Sequence, residues 1–136
     1  MLTGTKDMKG VRLFAGLADK DREFLARNLD ELSAPAGEKL ITEGQGNHTF
    51  FVVREGQVEI RIGGEVKRVL GAGDFFGEIS VDQHVPATAT VVTKTPVRLW
   101  VMSQTQFRAV KANEPILLAL RTAMVERLLQ NRPESP

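Results

Sequence analysis

Cysteine is absent from this 136-residue chain, and histidine occurs only at His48 and His84. The first absence removes disulfides, thiolate metal sites and thiol nucleophiles together, and it is compatible with a cytoplasmic protein. The second leaves too few imidazoles for a transition-metal centre, whose ligands must cluster, so no metal and no cofactor is expected. An excess of either charge is also missing: 18 Lys and Arg against 17 Asp and Glu give a formal net charge of +1. So small a balance does not hold a polyanion or a membrane surface, and neither nucleic acid nor membrane is an expected partner. A small anion in a local pocket stays compatible. Long hydrophobic runs are lacking too. No apolar stretch is long enough to cross a bilayer, and Met1 to Lys9 has no apolar core of the signal-peptide kind. What the chain does have is 42% hydrophobic residues, enough for one domain with a real core but not for two.

Two helical ends flank a strand-rich middle. From Asp19 to Leu32 the apolar Phe24, Leu25, Leu29 and Leu32 recur at helical spacing, and Asp19 is placed to accept from a first-turn N–H. This predicts an amphipathic helix. From about Pro35 to Met102 the texture changes to short runs rich in β-branched or aromatic residues: 49–54, 57–62, 65–70, 88–93 and 97–102. Gly63-Gly64 supplies a two-residue hairpin, with Val58, Ile60 and Ile62 alternating before it. Strands this short and close imply a jelly roll or barrel. Ser103-x-x-Gln106 reads as a capping box, and Pro115 fits the first turn of a last helix carrying Leu117, Leu120, Met124 and Leu128 as a stripe. A second set, Ile116, Leu118 and Leu129, makes that helix more apolar than one buried face requires, through extra packing or a partner helix.

One segment carries chemistry. Phe76-Gly77-Glu78-Ile79-Ser80, followed by Pro86-Ala87-Thr88-Ala89-Thr90, joins a tight Gly-Glu turn to a short strand-like stretch. It resembles the phosphate-binding cassette of cyclic nucleotide-binding domains, of the type in catabolite activator protein and protein kinase A regulatory subunits. Val11 to Leu17, Pro35-Ala36-Gly37-Glu38, Glu43-Gly44, Phe50 to Val58 and Gly71 to Glu78 resemble successive parts of that family in order, so the likeness covers nearly the whole chain. The resemblance implies a mainly β fold with flanking α: a β jelly roll with an N-terminal helix and two C-terminal helices. Residues 1–131 are then one domain, divided into a helical segment 8–33, a β-roll 35–102 and helices over 103–131, with 132–136 as a tail.

The resemblance also implies a site. Gly77 would let the backbone approach the ligand, the amides of Glu78, Ile79 and Ser80 would donate to phosphate, and Glu78 would accept from the ribose 2′-hydroxyl. Thr88 stands where a hydroxyl can reach the phosphate or a guanine amino group. Ile60, Leu70 and Ala89 would line the pocket, although Ile60 and Leu70 are barrel core in any jelly roll, and Arg127 is a candidate lid from the last helix. The family's phosphate-clamping Arg falls at Ala87. Truncating one member of a buried charged pair costs about 2–5 kcal/mol, roughly 30-fold to several thousand-fold in affinity. Lys94, Arg98 and His84 are the candidate replacements, though each is first of all a surface residue.

The expected function is a non-enzymatic, regulatory ligand-sensing module. It would bind cAMP or cGMP, weakened by Ala87, and signal through its C-terminal helix, with a homodimer through that helix, an effector on another chain or an effector in a missing region as partner. Two other classes compete. A ligand-free scaffold with a degenerate site is favoured by Ala87 and disfavoured by the intact remainder of the cassette. A metal-dependent cupin enzyme shares the jelly roll, and His48 with Glu55 and Gly56 is faintly similar to its first motif, but two histidines do not supply its ligands. No effector segment is visible before Pro136.

Overall fold

The computed structural model describes residues 11–77 and 85–130. Two short helices, α1 (Arg12–Ala15) and α2 (Asp19–Arg27), precede eight strands: β1 (Asp30–Ala34), β2 (Lys39–Ile41), β3 (Thr49–Glu55), β4 (Val58–Ile62), β5 (Glu65–Leu70), β6 (Phe75–Phe76), β7 (Thr90–Thr93) and β8 (Val97–Ser103). Helices α3 (Gln104–Lys111) and α4 (Glu114–Gln130) follow. The strands form two antiparallel sheets, ordered β1-β8-β3-β6 and β2-β7-β4-β5. This is the mainly β roll with flanking helices that the sequence predicts.

The helix expected over 19–32 is shorter than its periodicity suggests. It ends at Arg27, and 30–34 is a strand whose residues pair with β8 from Asp30↔Val101 to Ala34↔Val97. Leu29 packs in the core while Leu32 is 41% exposed, so the two do not share a helical face. Asp19 is not the cap of α2: Ala18 holds that position without a side-chain bond, and the Asp19 carboxylate pairs with Arg22. Arg22 is itself buried, its guanidinium donating to the carbonyls of Phe14, Ala15 and Leu17 at the end of α1. The cation thus supplies donors to carbonyls at and just beyond the end of a four-residue helix, where few backbone N–H groups can reach them.

Alternation along β3 builds two cores on one wall. Phe50 and Val52 pack with the helices, joined by Phe75 of β6, Trp100 and Met102 of β8, and Phe14, Leu25, Phe107, Ile116 and Leu120. Phe51 and Val53 face the opposite way, between the sheets, with Phe76, Val58, Leu70, Val91, Val97 and Leu99. A sheet covered on both faces needs apolar residues at consecutive positions, which explains the unbroken Phe50-Phe51-Val52-Val53. Gly63 and Gly64, at φ 61° and 82°, make the turn between Ile62 and Glu65 as the sequence predicts. The Ser103–Gln106 capping box is present in both directions, at 3.1 and 2.8 Å. Among the described side chains of α4 the buried ones are Ile116 and Leu120, with Leu117 half-buried and Met124 packed against the same core, so the expected stripe is shifted toward Ile116; the Leu128 side chain lies outside the described residues.

Candidate functional site

Gly77 closes β6 at φ 87°, in the region that favours glycine. A Cβ placed on it would lie 2.6 Å from the Thr49 carbonyl oxygen and 3.5 Å from Ile41 Cδ1. The turn is held by Asn47, whose amide Nδ2 donates to the carbonyls of Thr49 at 2.8 Å and Gly77 at 3.3 Å. Its Oδ1 accepts from the Thr49 N–H at 3.3 Å, so one side chain fixes both strands where they separate. The sequence reasoning missed Asn47. Its signal was an Asn two residues before a strand start, a side chain suited to bonding its own backbone.

Ala87 lies on the stretch that leads into β7, outside the strands. It is tied to the turn after β2 in both directions: the Gly44 N–H donates to Ala87 O and the Ala87 N–H donates to Gln45 O, each at 2.8 Å. Its methyl is 7% exposed and belongs to the inter-sheet cluster that also holds Ile41, Leu70, Phe76 and Val91, with Ile60 half-buried against it. Ile60, Leu70 and Ala87 thus meet in one apolar wall, with Gly77 at its edge. Thr88 is exposed and Ala89 half-buried. The hydroxyl that is engaged is Thr90's, which accepts from the Glu43 N–H at 3.0 Å.

The remaining candidates do not join that wall. Arg127 lays its guanidinium over the Phe75 ring, 3.6 Å from the centroid, and Phe75 faces the helices while Phe76 faces the roll. Arg98 is an exposed β8 residue 3.7 Å from the Glu55 carboxylate. Lys94 is exposed at the end of β7 remote from Ala87, its N–H donating to Gln57 O. His48 is exposed, and among the described residues no group of three His, Cys, Asp or Glu is placed to hold a metal ion. Glu78, Ile79, Ser80 and His84 lie outside the described residues.

Gly77 thus ends a strand beside the apolar cluster that contains Ala87. Residues 31–114 match the family model for the cyclic nucleotide-binding domain. The chain belongs to that family. A curated relative, a cAMP-dependent protein kinase regulatory subunit of Yarrowia lipolytica, is 33% identical over 98 residues, which is 72% of this chain and 26% of the relative. The regulatory domain of Toxoplasma gondii PKA, solved with cAMP, is 29% identical with a TM-score of 0.67, over 78% of this chain and 42% of that one. Thermus thermophilus catabolite activator protein is similar in fold, with a TM-score of 0.78 at 23% identity, covering 88% of this cyclic nucleotide-binding domain and 59% of that chain. The domain spans about a quarter of the curated relative's length, and no helix among its described residues is long and apolar enough to cross a membrane.

Proposed function

We propose that this chain is a non-enzymatic regulatory module of the cytoplasm that senses cAMP or cGMP with an affinity lowered by Ala87. The domain 1–131 would place Gly77 and the amides of Glu78, Ile79 and Ser80 against the phosphate, with the Glu78 carboxylate on the ribose and Thr88 at the rim. Ile60, Leu70 and Ala89 would line the pocket. The observation that carries the reading is the corner at Gly77, where a left-handed glycine, pinned by Asn47, meets the wall containing Ala87. The signal would leave through α4. Leu118, Thr122, Val125 and Leu129 follow one another at spacings of four, three and four and are all exposed, a seam suited to the same helix of a second copy.

The experiment is calorimetric titration of cAMP and cGMP into the wild type and Ala87→Arg. We expect weak or undetectable binding by the wild type and a gain of roughly 30-fold or more in the variant, since a guanidinium grips phosphate bidentately. Nanomolar binding by the wild type would show that another cation does the clamping. A second reading, a ligand-free interaction module, draws support from the burial of the Ala87 methyl in the apolar cluster. It takes over if Ala87→Arg changes nothing in the titration.

A further inference from the structure

A groove of about 780 Å³ runs on the helix side of the molecule, between the α1–α2 corner, the turn before β6 and one side of α4. Its floor is apolar, formed by Leu13, Leu17, Phe75, Ala119 and Ala123, and the exposed Leu118 and Thr122 of the α4 seam stand at its rim. Phe75 faces it and Phe76 faces the roll, so β6 separates this space from the wall that holds Ala87. Its volume falls in the range of small-molecule pockets, about 300–1,000 Å³.

Asp21 decides what chemistry the groove suits. It lines the groove and is only 6% exposed. Its Oδ1 accepts from Asn113 Nδ2 at 3.0 Å, while Oδ2 has no side-chain partner among the described residues. Of the other charged groups along the groove, the Arg127 guanidinium covers Phe75, and Arg68 and Glu126 hold interactions of their own. Asp74 is like Asp21 in having one oxygen bonded, Oδ2 to the Gly71 N–H at 2.9 Å, but it is the less buried of the two carboxylates. Asp21 is mostly buried, but its Oδ2 is not a sealed, orphaned atom. An accessible carboxylate oxygen in an apolar surround is satisfied best by a charged N–H, because charge-assisted hydrogen bonds are the stronger kind. An anionic head group would instead meet that oxygen as a like charge. We infer that the groove is a binding site for a small amphipathic amine, its apolar body on the Leu13–Phe75–Ala119 floor and its ammonium on Asp21 Oδ2. The site is separate from the one proposed for cyclic nucleotides and does not depend on it.

The test titrates the isotope-labelled full chain with three probes of matched shape, 2-phenylethylamine, 2-phenylethanol and 3-phenylpropanoate, and follows backbone amide shifts. The amine should move amides around Leu17–Asp21, Gly73–Phe75 and Leu118–Thr122, and bind about tenfold to hundredfold tighter than the alcohol. The carboxylate should not saturate. Asp21→Asn keeps the shape and the Asn113 contact, and should bring the amine down to the level of the alcohol. Ala72→Trp, at an exposed lining position in the turn before β6, should weaken amine and alcohol together. Equal binding of amine and alcohol by the wild type, shifts centred elsewhere, or an amine preference that survives in Asp21→Asn overturns the inference. If Asp21→Asn does not fold, the wild-type selectivity and the Ala72→Trp result decide it.

Discussion

At the scale of single residues, Gly77 is under two constraints at once, a positive φ and a backbone oxygen where a side chain would begin. Gly77→Ala should therefore lose about 1–3 kcal/mol of stability, read as a lowered urea midpoint at unchanged slope. A variant as stable as the wild type would mean that the turn relaxes freely. Trp100 gives the opposite case. Its Nε1 is buried with no hydrogen-bond partner among the described residues, in a core where the ring meets Phe14 edge-on at 6.5 Å. Trp100→Phe removes an unsatisfied donor along with some packing, and the two should offset to within about 1 kcal/mol, in contrast to the 3–5 kcal/mol typical of emptying an aromatic site. Denaturant melts of the two proteins compare these directly. Legibility at this scale was uneven. The glycine at 77 could be read because its motif demands a special backbone, whereas the partnership of Asn47 with a residue 30 positions away could not, since no local pattern encodes it.

Among the elements, α4 is the one whose exposed face has a defined shape. Leu118, Val125 and Leu129 are 54%, 55% and 58% exposed on the side opposite Ile116 and Leu120. If this seam pairs two copies, Leu118→Glu with Val125→Glu should convert a dimer to a monomer in light scattering, without loss of helix by circular dichroism. A wild type that stays monomeric at high concentration removes the dimer from the proposal. The start of the same helix depends on Asn113, whose Oδ1 accepts from the Ile116 N–H at 3.1 Å while its Nδ2 reaches Asp21. Asn113→Ala should cost about 1 kcal/mol and speed amide exchange in the first turn of α4. Strands β3, β4 and β8 were readable because each is long and either alternates or is rich in large apolar residues, and β5 because it follows the Gly63-Gly64 turn out of β4. The two-residue β6 and three-residue β2 were too short for any period to register. At 28–32 the sequence misled for a different reason: Leu29 and Leu32 satisfy helical spacing, yet the pairing of β1 with β8 fixes the backbone there, and such long-range pairing overrides a weak local preference.

On the scale of the whole molecule, the two cores share the β3–β8–β6 wall, so neither can open without stripping one face of the same strands. Unfolding should be a single event. Trp100 fluorescence reports the helix side, and a fluorine label at Phe51 or Phe76 would report the roll side; their denaturant transitions should coincide. Two separated midpoints would show that the layers are independent. The order of strands in that sheet also governs how the chain can be made. β8 is an inner strand, bonded to β1 on one side and β3 on the other, yet it is the last strand of the chain. During synthesis β3 therefore waits, apolar and unpaired along its edge toward β8, and the mostly polar β1 lacks its strand partner, until residues 97–103 have been added. Any nascent or truncated chain ending before Val97 exposes Phe50 to Val53 to whatever else is in reach, and its fate rests on chaperones and dilution rather than on its own fold.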